Sequence, residues 1–189
     1  MFHKLKRRPS SASWLDKLSL ELRPVTQENW QSLIKLKVRD GQQDFVASNL
    51  YSIAESQFGF EEEGHWDLFP YGLYMNGEPV GFAMTGLNLN HSRFQGLILR
   101  LMVSEKHQGR GYGRDAMKVM NEMFLADERV QAVCISYAPE NEVARKLYAS
   151  LGFVETGEML ESEVTAILNM GLPFMPQIAE NRLSNAAWA

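Results

Sequence analysis

The run Gln108-Gly109-Arg110-Gly111-Tyr112-Gly113 has the make-up of an anion site. Glycines let the backbone turn tightly and bring several N–H groups to one point. The stretch from Gly113 to about Ala126 reads as a helix, and the positive end of its dipole faces back onto the loop. Arg110 and Arg114 add charge, so the loop suits a pyrophosphate. Three readings compete. Gly111-Tyr112-Gly113-Arg114-Asp115-Ala116 matches the G-x-G-x-x-G/A dinucleotide fingerprint, but that fingerprint follows its strand directly and here Ser104-Glu105-Lys106-His107 intervene. A Walker phosphate loop fails because no Gly-Lys-Ser/Thr follows. The third reading is a glycine-rich turn with no ligand.

A second pattern lies downstream in Asn141, Ala144, Leu147-Tyr148 and Gly152-Phe153. The two stretches, in this order and with one helix and one strand between them, resemble motifs A and B of the GNAT N-acetyltransferase superfamily. The resemblance covers roughly residues 20 to 170. It implies an α/β (α+β) GNAT fold, a mixed and mostly antiparallel twisted sheet with helices on both faces. It implies acetyl-CoA as co-substrate and direct acetyl transfer to a primary amine. Leu101, Met102 and Val103 would then hold the pantetheine arm and thioester where the sheet splays open, between the strand at 97–103 and the strand at 132–136. Gln108, Gly109, Arg110, Gly111, Tyr112, Gly113 and Arg114 would cradle the pyrophosphate, and Asn141 would hydrogen-bond the pantetheine. Tyr148 would donate a proton to the leaving thiolate. Tyr148 also sits at i+4 from Ala144 on an apolar stripe, so core packing is its competing reading.

Direct transfer needs no covalent enzyme intermediate once both reactants are held in place, and a splayed strand can offer an N–H to the developing oxyanion. The harder step is deprotonation. An alkylamine with a pKa near that of lysine is protonated at pH 7, at a cost of roughly 4 to 5 kcal/mol. Many GNAT enzymes carry a carboxylate on the strand before motif A. Here that stretch reads Leu99-Arg100-Leu101. The base is therefore open between Glu55, Asp44 and a water chain, with Glu55 the choice and a solvated helix glutamate its bland alternative. The segment from Gln43 to Glu55 and the hairpin around Gly72 to Met84 resemble bacterial spermine/spermidine acetyltransferases. That implies a small amine partner, a polyamine, bound by Asp44, Phe45 and Glu55 through charge and aromatic faces. Other acceptors open to the fold are another small amine, an aminoglycoside or a protein amine. Outside that class stand a non-catalytic acetyl-CoA sensor and a dinucleotide-dependent oxidoreductase, which would need a parallel βαβ sheet.

The elements that must position these residues are legible from period and punctuation. Leu20 to Pro24 alternates as a strand stopped by proline. Trp30, Leu33, Ile34 and Val38 recur at helical spacing after Thr26. Ser48 to Phe58 reads as a second helix with Leu50, Ile53 and Ala54 inward, ended by Gly59 and followed by an acidic loop, Glu61 to Gly64. Tyr71–Met75 and Val80–Met84 form a hairpin about Asn76-Gly77. A strand from about Phe94 to Val103 leads into the glycine loop. The helix after it turns Ala116, Met117, Met120, Met123 and Phe124 to the core. Ala132 to Ser136 is a strand, and Glu142 to Ser150 a helix with Val143, Ala144, Leu147 and Tyr148 inward, capped by Gly152. Phe153-Val154 and Val164 to Leu168 supply the last strands.

Composition sets the outer bounds. The 189 residues, 45% hydrophobic and 22% charged, suit one domain over 19–170, flanked by a basic extension (1–18) and a tail (171–189). The net charge of -4 gives no sign of nucleic-acid binding. No apolar stretch approaches the ~20 residues that cross a bilayer, so no membrane partner is expected. A single cysteine, Cys134, forbids an intramolecular disulfide and fits a reducing, cytoplasmic setting, and its apolar neighbours mark it as a core thiol. The scattered His3, His65, His91 and His107 lack metal-ligand spacing, so no metal is expected. The resemblance is compatible with a homodimer, which the tail with Trp188 could assist.

Overall fold

The computed structural model of the protein describes residues 20–171; the basic extension and all but the first residue of the tail lie outside them. In chain order the elements are β1 (Glu21–Pro24), α1 (Trp30–Leu33), α2 (Asn49–Glu55), β2 (Phe60–Glu61), β3 (His65–Met75), β4 (Glu78–Leu87), β5 (Gly96–Val103), α3 (Tyr112–Leu125), β6 (Ala132–Tyr137), α4 (Glu142–Ala149), β7 (Val154–Leu160) and β8 (Glu163–Asn169). Single 3-10 turns stand at Gln43–Phe45 and Glu105–His107.

The strands form an eight-stranded sheet in the order β1-β3-β4-β5-β6-β8-β7, with β2 paired to β3 off this path. Every pairing is antiparallel except β5 with β6. β5, α3 and β6 form a single parallel βαβ unit in an otherwise antiparallel sheet, so the parallel βαβ sheet that the dinucleotide reading requires is not formed among the described residues. At the β3–β4 turn Asn76 and Gly77 both take positive φ, 53° and 79°, the geometry that matches the twist of a two-residue hairpin.

Helices cover both faces. On one face α3 brings Ala116, Met117, Met120 and Phe124, and α4 brings Ala144 and Tyr148, against Leu73, Ala83, Ile98, Val133 and Ile135. On the other, Ile53 of α2 and the segment Leu36–Val38 pack on Trp66, Phe82, Met84, Leu97, Met102 and Cys134. Burial of Cys134 pushes its thiol pKa up to about 12, so it is an inert core thiol.

Two features of β5 matter for function. Its parallel ladder with β6 has only three rungs, Gly96 to Val133, Leu97 to Cys134 and Ile98 to Ile135, although β5 runs on to Val103 and β6 to Tyr137. Beyond Ile98 the sheet is split. On the other side the register with β4 shifts, so that Thr85 faces Ile98 and Met84 faces Arg100, which leaves Leu99 as the extra residue of a bulge.

Several expected elements come out differently. The first helix is one turn and leaves out Ile34 and Val38. The chain beyond it is drawn out instead: Glu105 N donates to Lys37 O at 2.8 Å, and Leu36 and Val38 pack as a pair two residues apart. The second helix buries Asn49 and Ser52, whereas Leu50 is 55% exposed. A seven-residue helix carries too short a stripe to fix its own rotation, and Asn49 Nδ2 finds the end carbonyl of Leu33 at 2.8 Å. The acidic stretch is partly a hairpin, because Phe60 stacks on Trp66 with centroids 5.9 Å apart and so pairs β2 with the start of β3. Met123 and Val143 are exposed at the margins of their helices. Strands β3, β4, β7 and β8 extend beyond their expected cores.

Gly81 shows how tightly β4 presses on the functional strand. A Cβ there would lie 2.3 Å from Met102 O, a backbone atom of β5. Gly81→Ala is expected to destabilise the fold by about 1–3 kcal/mol or more, read as a lowered midpoint in chemical denaturation; an unchanged midpoint would show that β5 has room to shift.

Candidate active site

The split between β5 and β6 opens a cleft made of two adjoining cavities that share Phe45, Val46, Leu101, Asn141 and Tyr148. The first is a groove floored by Leu101, Met102 and Val103 and walled by Gln108, Gly109, Gly111, Tyr112 and Gly113 on one side and Val143, Ala144 and Leu147 of α4 on the other. The second lies deeper in the split, among Asp44, Arg100, Ser136, Tyr137 and Glu163.

The glycine loop makes the tight turns its composition predicts. Gly109 and Gly111 take φ of 77° and 87°. Gly111 is the residue before α3, and the first helical bonds are Arg114 N to Gly111 O at 2.9 Å and Asp115 N to Gly111 O at 3.1 Å. The N–H groups of Gly111, Tyr112 and Gly113 therefore precede the helical ladder and have no partner within it. They face a groove at the positive end of a 14-residue helix dipole. Arg110 and Arg114 are exposed and stand outside the groove lining. The Gln108 amide points inward, donating to Val103 O at 3.0 Å and to Gln42 Oε1 at 2.8 Å. It ties the loop to the end of β5 and to the crossing segment before α2.

Asn141 begins α4. Its Oδ1 accepts from Ala144 N at 3.1 Å, an N-cap, and the residue borders both cavities. A network clamps α4 to the sheet: Arg145 grips Glu155 of β7 through Nε at 2.7 Å and Nη2 at 3.0 Å, and Tyr137 donates to the same carboxylate at 2.8 Å. Those bonds hold the Glu155 carboxyl below the usual range, Arg145 first and Tyr137 second. Burial, then the Glu155 bond, pushes Tyr137 up to about 12.

Tyr148 packs in the core and also lines the cleft. Its ring is 7% exposed and packs at 5.4 Å from Tyr137 and 6.1 Å from Phe153. It also borders both cavities where they meet. Burial, with the charge of Glu163 and then Tyr137 adding, raises the Tyr148 pKa well above the ordinary phenol range, so the proton stays on the oxygen at neutral pH.

The acceptor side divides the expected residues. Asp44 and Phe45, carried by the 3-10 turn, line the second cavity. Glu55 does not line either cavity; its carboxylate pairs with Arg100 Nη2 at 3.3 Å, and both side chains are largely covered. Arg100 also donates through Nη1 to Leu99 O at 2.8 Å beside the bulge, while its buried Nε has no hydrogen-bond partner among the described residues. Ser136, Tyr137 and Glu163 also line this cavity, and the sequence gives no expectation of a site role for them. Glu163 opens β8, one residue before the strand expected from Val164. The available signal was alternation: Glu163, Thr165 and Ile167 share one strand face, and Ile167 is in the core.

Comparison with known proteins identifies the fold and the family. The family model for acetyltransferases of the GNAT family matches residues 30–153. The spermine/spermidine N(1)-acetyltransferase of Bacillus subtilis is 27% identical over 146 residues, covering 75% of this chain and 92% of that protein. Among solved structures, an aminoglycoside acetyltransferase in complex with coenzyme A superposes with a TM-score of 0.63 at 18% identity, over 80% of this chain and 95% of that one. The spermidine N-acetyltransferase of Vibrio cholerae in complex with CoA and spermine gives 0.60 at 16% identity, over 80% and 96%.

Proposed function

This chain belongs to the GNAT acetyltransferase family, and from that premise we propose that it moves the acetyl group of acetyl-CoA to a primary amine of a polyamine such as spermidine or spermine. Three kinds of group in the first groove suit the co-substrate: free N–H donors at the start of α3 for the pyrophosphate, the end of β5 for the pantetheine arm, and Tyr148 at the thioester end. The thioester supplies an activated acetyl group. The chain's own residues hold it, exclude water and keep a proton ready on Tyr148 for the departing sulfur.

The observation that carries the polyamine reading is the pair of carboxylates, Asp44 and Glu163, that border the cavity next to Tyr148, with Phe45 beside them. Ammonium groups are stabilised by carboxylates and by aromatic faces. The kinship with a spermine/spermidine enzyme points the same way. An aminoglycoside is the second reading, since it too is a multiply charged amine and the fold is shared with an aminoglycoside enzyme.

Release of free thiol from acetyl-CoA discriminates the two. With spermidine, spermine, an aminoglycoside, a simple alkylamine and a lysine peptide offered in turn, the highest kcat/KM is expected for a polyamine. A higher value for the aminoglycoside or the peptide would overturn the polyamine assignment.

A further inference from the structure

We propose that Glu163 takes the proton from the acceptor's ammonium group, resting on the reading of the second cavity as the acceptor site. The strand that leads into the glycine loop has no carboxylate, and Glu55 is committed to Arg100 outside the cavity lining. Two carboxylates remain in the cavity, Asp44 and Glu163. Asp44 sits on a single 3-10 turn in the segment that crosses the cleft. Glu163 opens β8, paired with Leu160 of β7 and directly before Val164, where the ladder to β6 begins, and a strand fixes a side chain better than a loop does.

Its surroundings fit the role. Ser136 Oγ donates to Glu163 Oε2, which orients the carboxylate and leaves Oε1 for an ammonium group. Ser136 follows directly on Ile135, the last rung of the β5–β6 ladder, so the carboxylate is anchored at the mouth of the split. The other charged and titratable groups facing the cavity are Arg100 from β5, Tyr137 from β6, Tyr148 from α4 and Asp44 from the crossing turn; Glu161 on the β7–β8 turn is exposed. Of these, Arg100 is balanced by Glu55. Tyr137 is held by Glu155 and Tyr148 keeps its proton.

The proton balance closes. The ammonium gives one proton to Glu163 and becomes a nucleophilic amine. The C–N bond forms, the C–S bond breaks, and the departing sulfur takes the Tyr148 proton. The nitrogen, cationic after attack, returns its surplus proton to the Tyr148 phenolate, and Glu163 releases its own to solvent. Amine and acetyl-CoA become amide and CoA thiol with one proton set free.

The test uses Glu163→Gln, which keeps the shape and the Ser136 bond, with whichever acceptor in the thiol-release panel is fastest. That choice separates this inference from the identity of the amine. The expected result is a loss of about 10²-fold or more in kcat, with the KM for acetyl-CoA unchanged. The kcat/KM of the variant should climb with pH up to the pKa of the free amine, because only the already neutral amine reacts. An acceptor whose pKa lies below the assay pH should restore most of the rate. A merely structural role would depress both acceptors alike and leave the pH profile parallel to that of the unaltered protein. That outcome, or an unchanged kcat, overturns the proposal. Asp44→Asn serves as the comparison and is expected to raise the acceptor's KM without changing the shape of the pH profile; the reverse pattern would make Asp44 the base.

Discussion

Tyr148→Phe is expected to lower kcat by about 10²- to 10⁴-fold, the range for removing a positioned general acid. The affinity for acetyl-CoA should be unchanged. The ring does the packing in this part of the core, at 5.4 Å from Tyr137 and 6.1 Å from Phe153, and phenylalanine keeps the ring. Only the hydroxyl at the junction of the two cavities is lost. Stability should therefore stay near that of the unaltered protein. Steady-state thiol release gives kcat, and calorimetric titration with CoA gives the affinity. An undiminished kcat would leave Tyr148 with its packing role alone and pass the sulfur's proton to water.

The second large effect is expected at Gly111. At φ 87° an L side chain is strained by roughly 1–2 kcal/mol, yet a Cβ built there meets no protein atom within 4 Å. The fold should therefore survive Gly111→Ala with a modest loss. The site should not. The N–H groups of Gly111, Tyr112 and Gly113 need this backbone turn to converge on the groove. Hydrogen bonds to charged acceptors contribute about 1.5–3 kcal/mol each, so misaligning one should raise the KM for acetyl-CoA about 10- to 100-fold. The KM for the amine should change little. An unaltered KM for acetyl-CoA would show that the loop amides are not the pyrophosphate donors, and Gly109 would be the next position to test.

Both effects concern the proton and the phosphates, and the sheet makes both possible by failing to close. Three rungs of parallel ladder hold β5 to β6. Past them, β5 keeps its bonds to β4 on one side and turns its unpaired edge to the groove. The bulge at Leu99 re-aims the strand where the ladder ends and brings Arg100 to Glu55 at the end of α2. Clamping of α4 through Arg145, Glu155 and Tyr137 then fixes Asn141 and Tyr148 over the gap. These ion-paired residues thus set the position of Tyr148.

The sequence by itself determined the parts whose geometry is local. Asn76-Gly77 dictates its hairpin because both residues tolerate positive φ. Gly109 and Gly111 dictate the loop before α3 for the same reason, and Asn141 caps α4 three residues before the amide it accepts. Alternation gave the core strands, and the 3.6 period gave the buried face of α3. Of the two motifs, Gln108, Gly109, Gly111, Tyr112, Gly113, Asn141 and Tyr148 line the groove, whereas Arg110 and Arg114 do not. Tertiary structure decided what depends on distant partners. It rotated α2 so that Asn49 rather than Leu50 is buried, because a carbonyl sixteen residues away accepts from it. It drew residues 36–38 out of the first helix through a bond to Glu105. It tied Glu55 to Arg100, and it carried Glu163 from the last strand to the mouth of the split. No local pattern records those meetings: the β6–β8 register and the length of the β5–β6 ladder set them, and both follow from how the whole sheet packs between its two layers of helices.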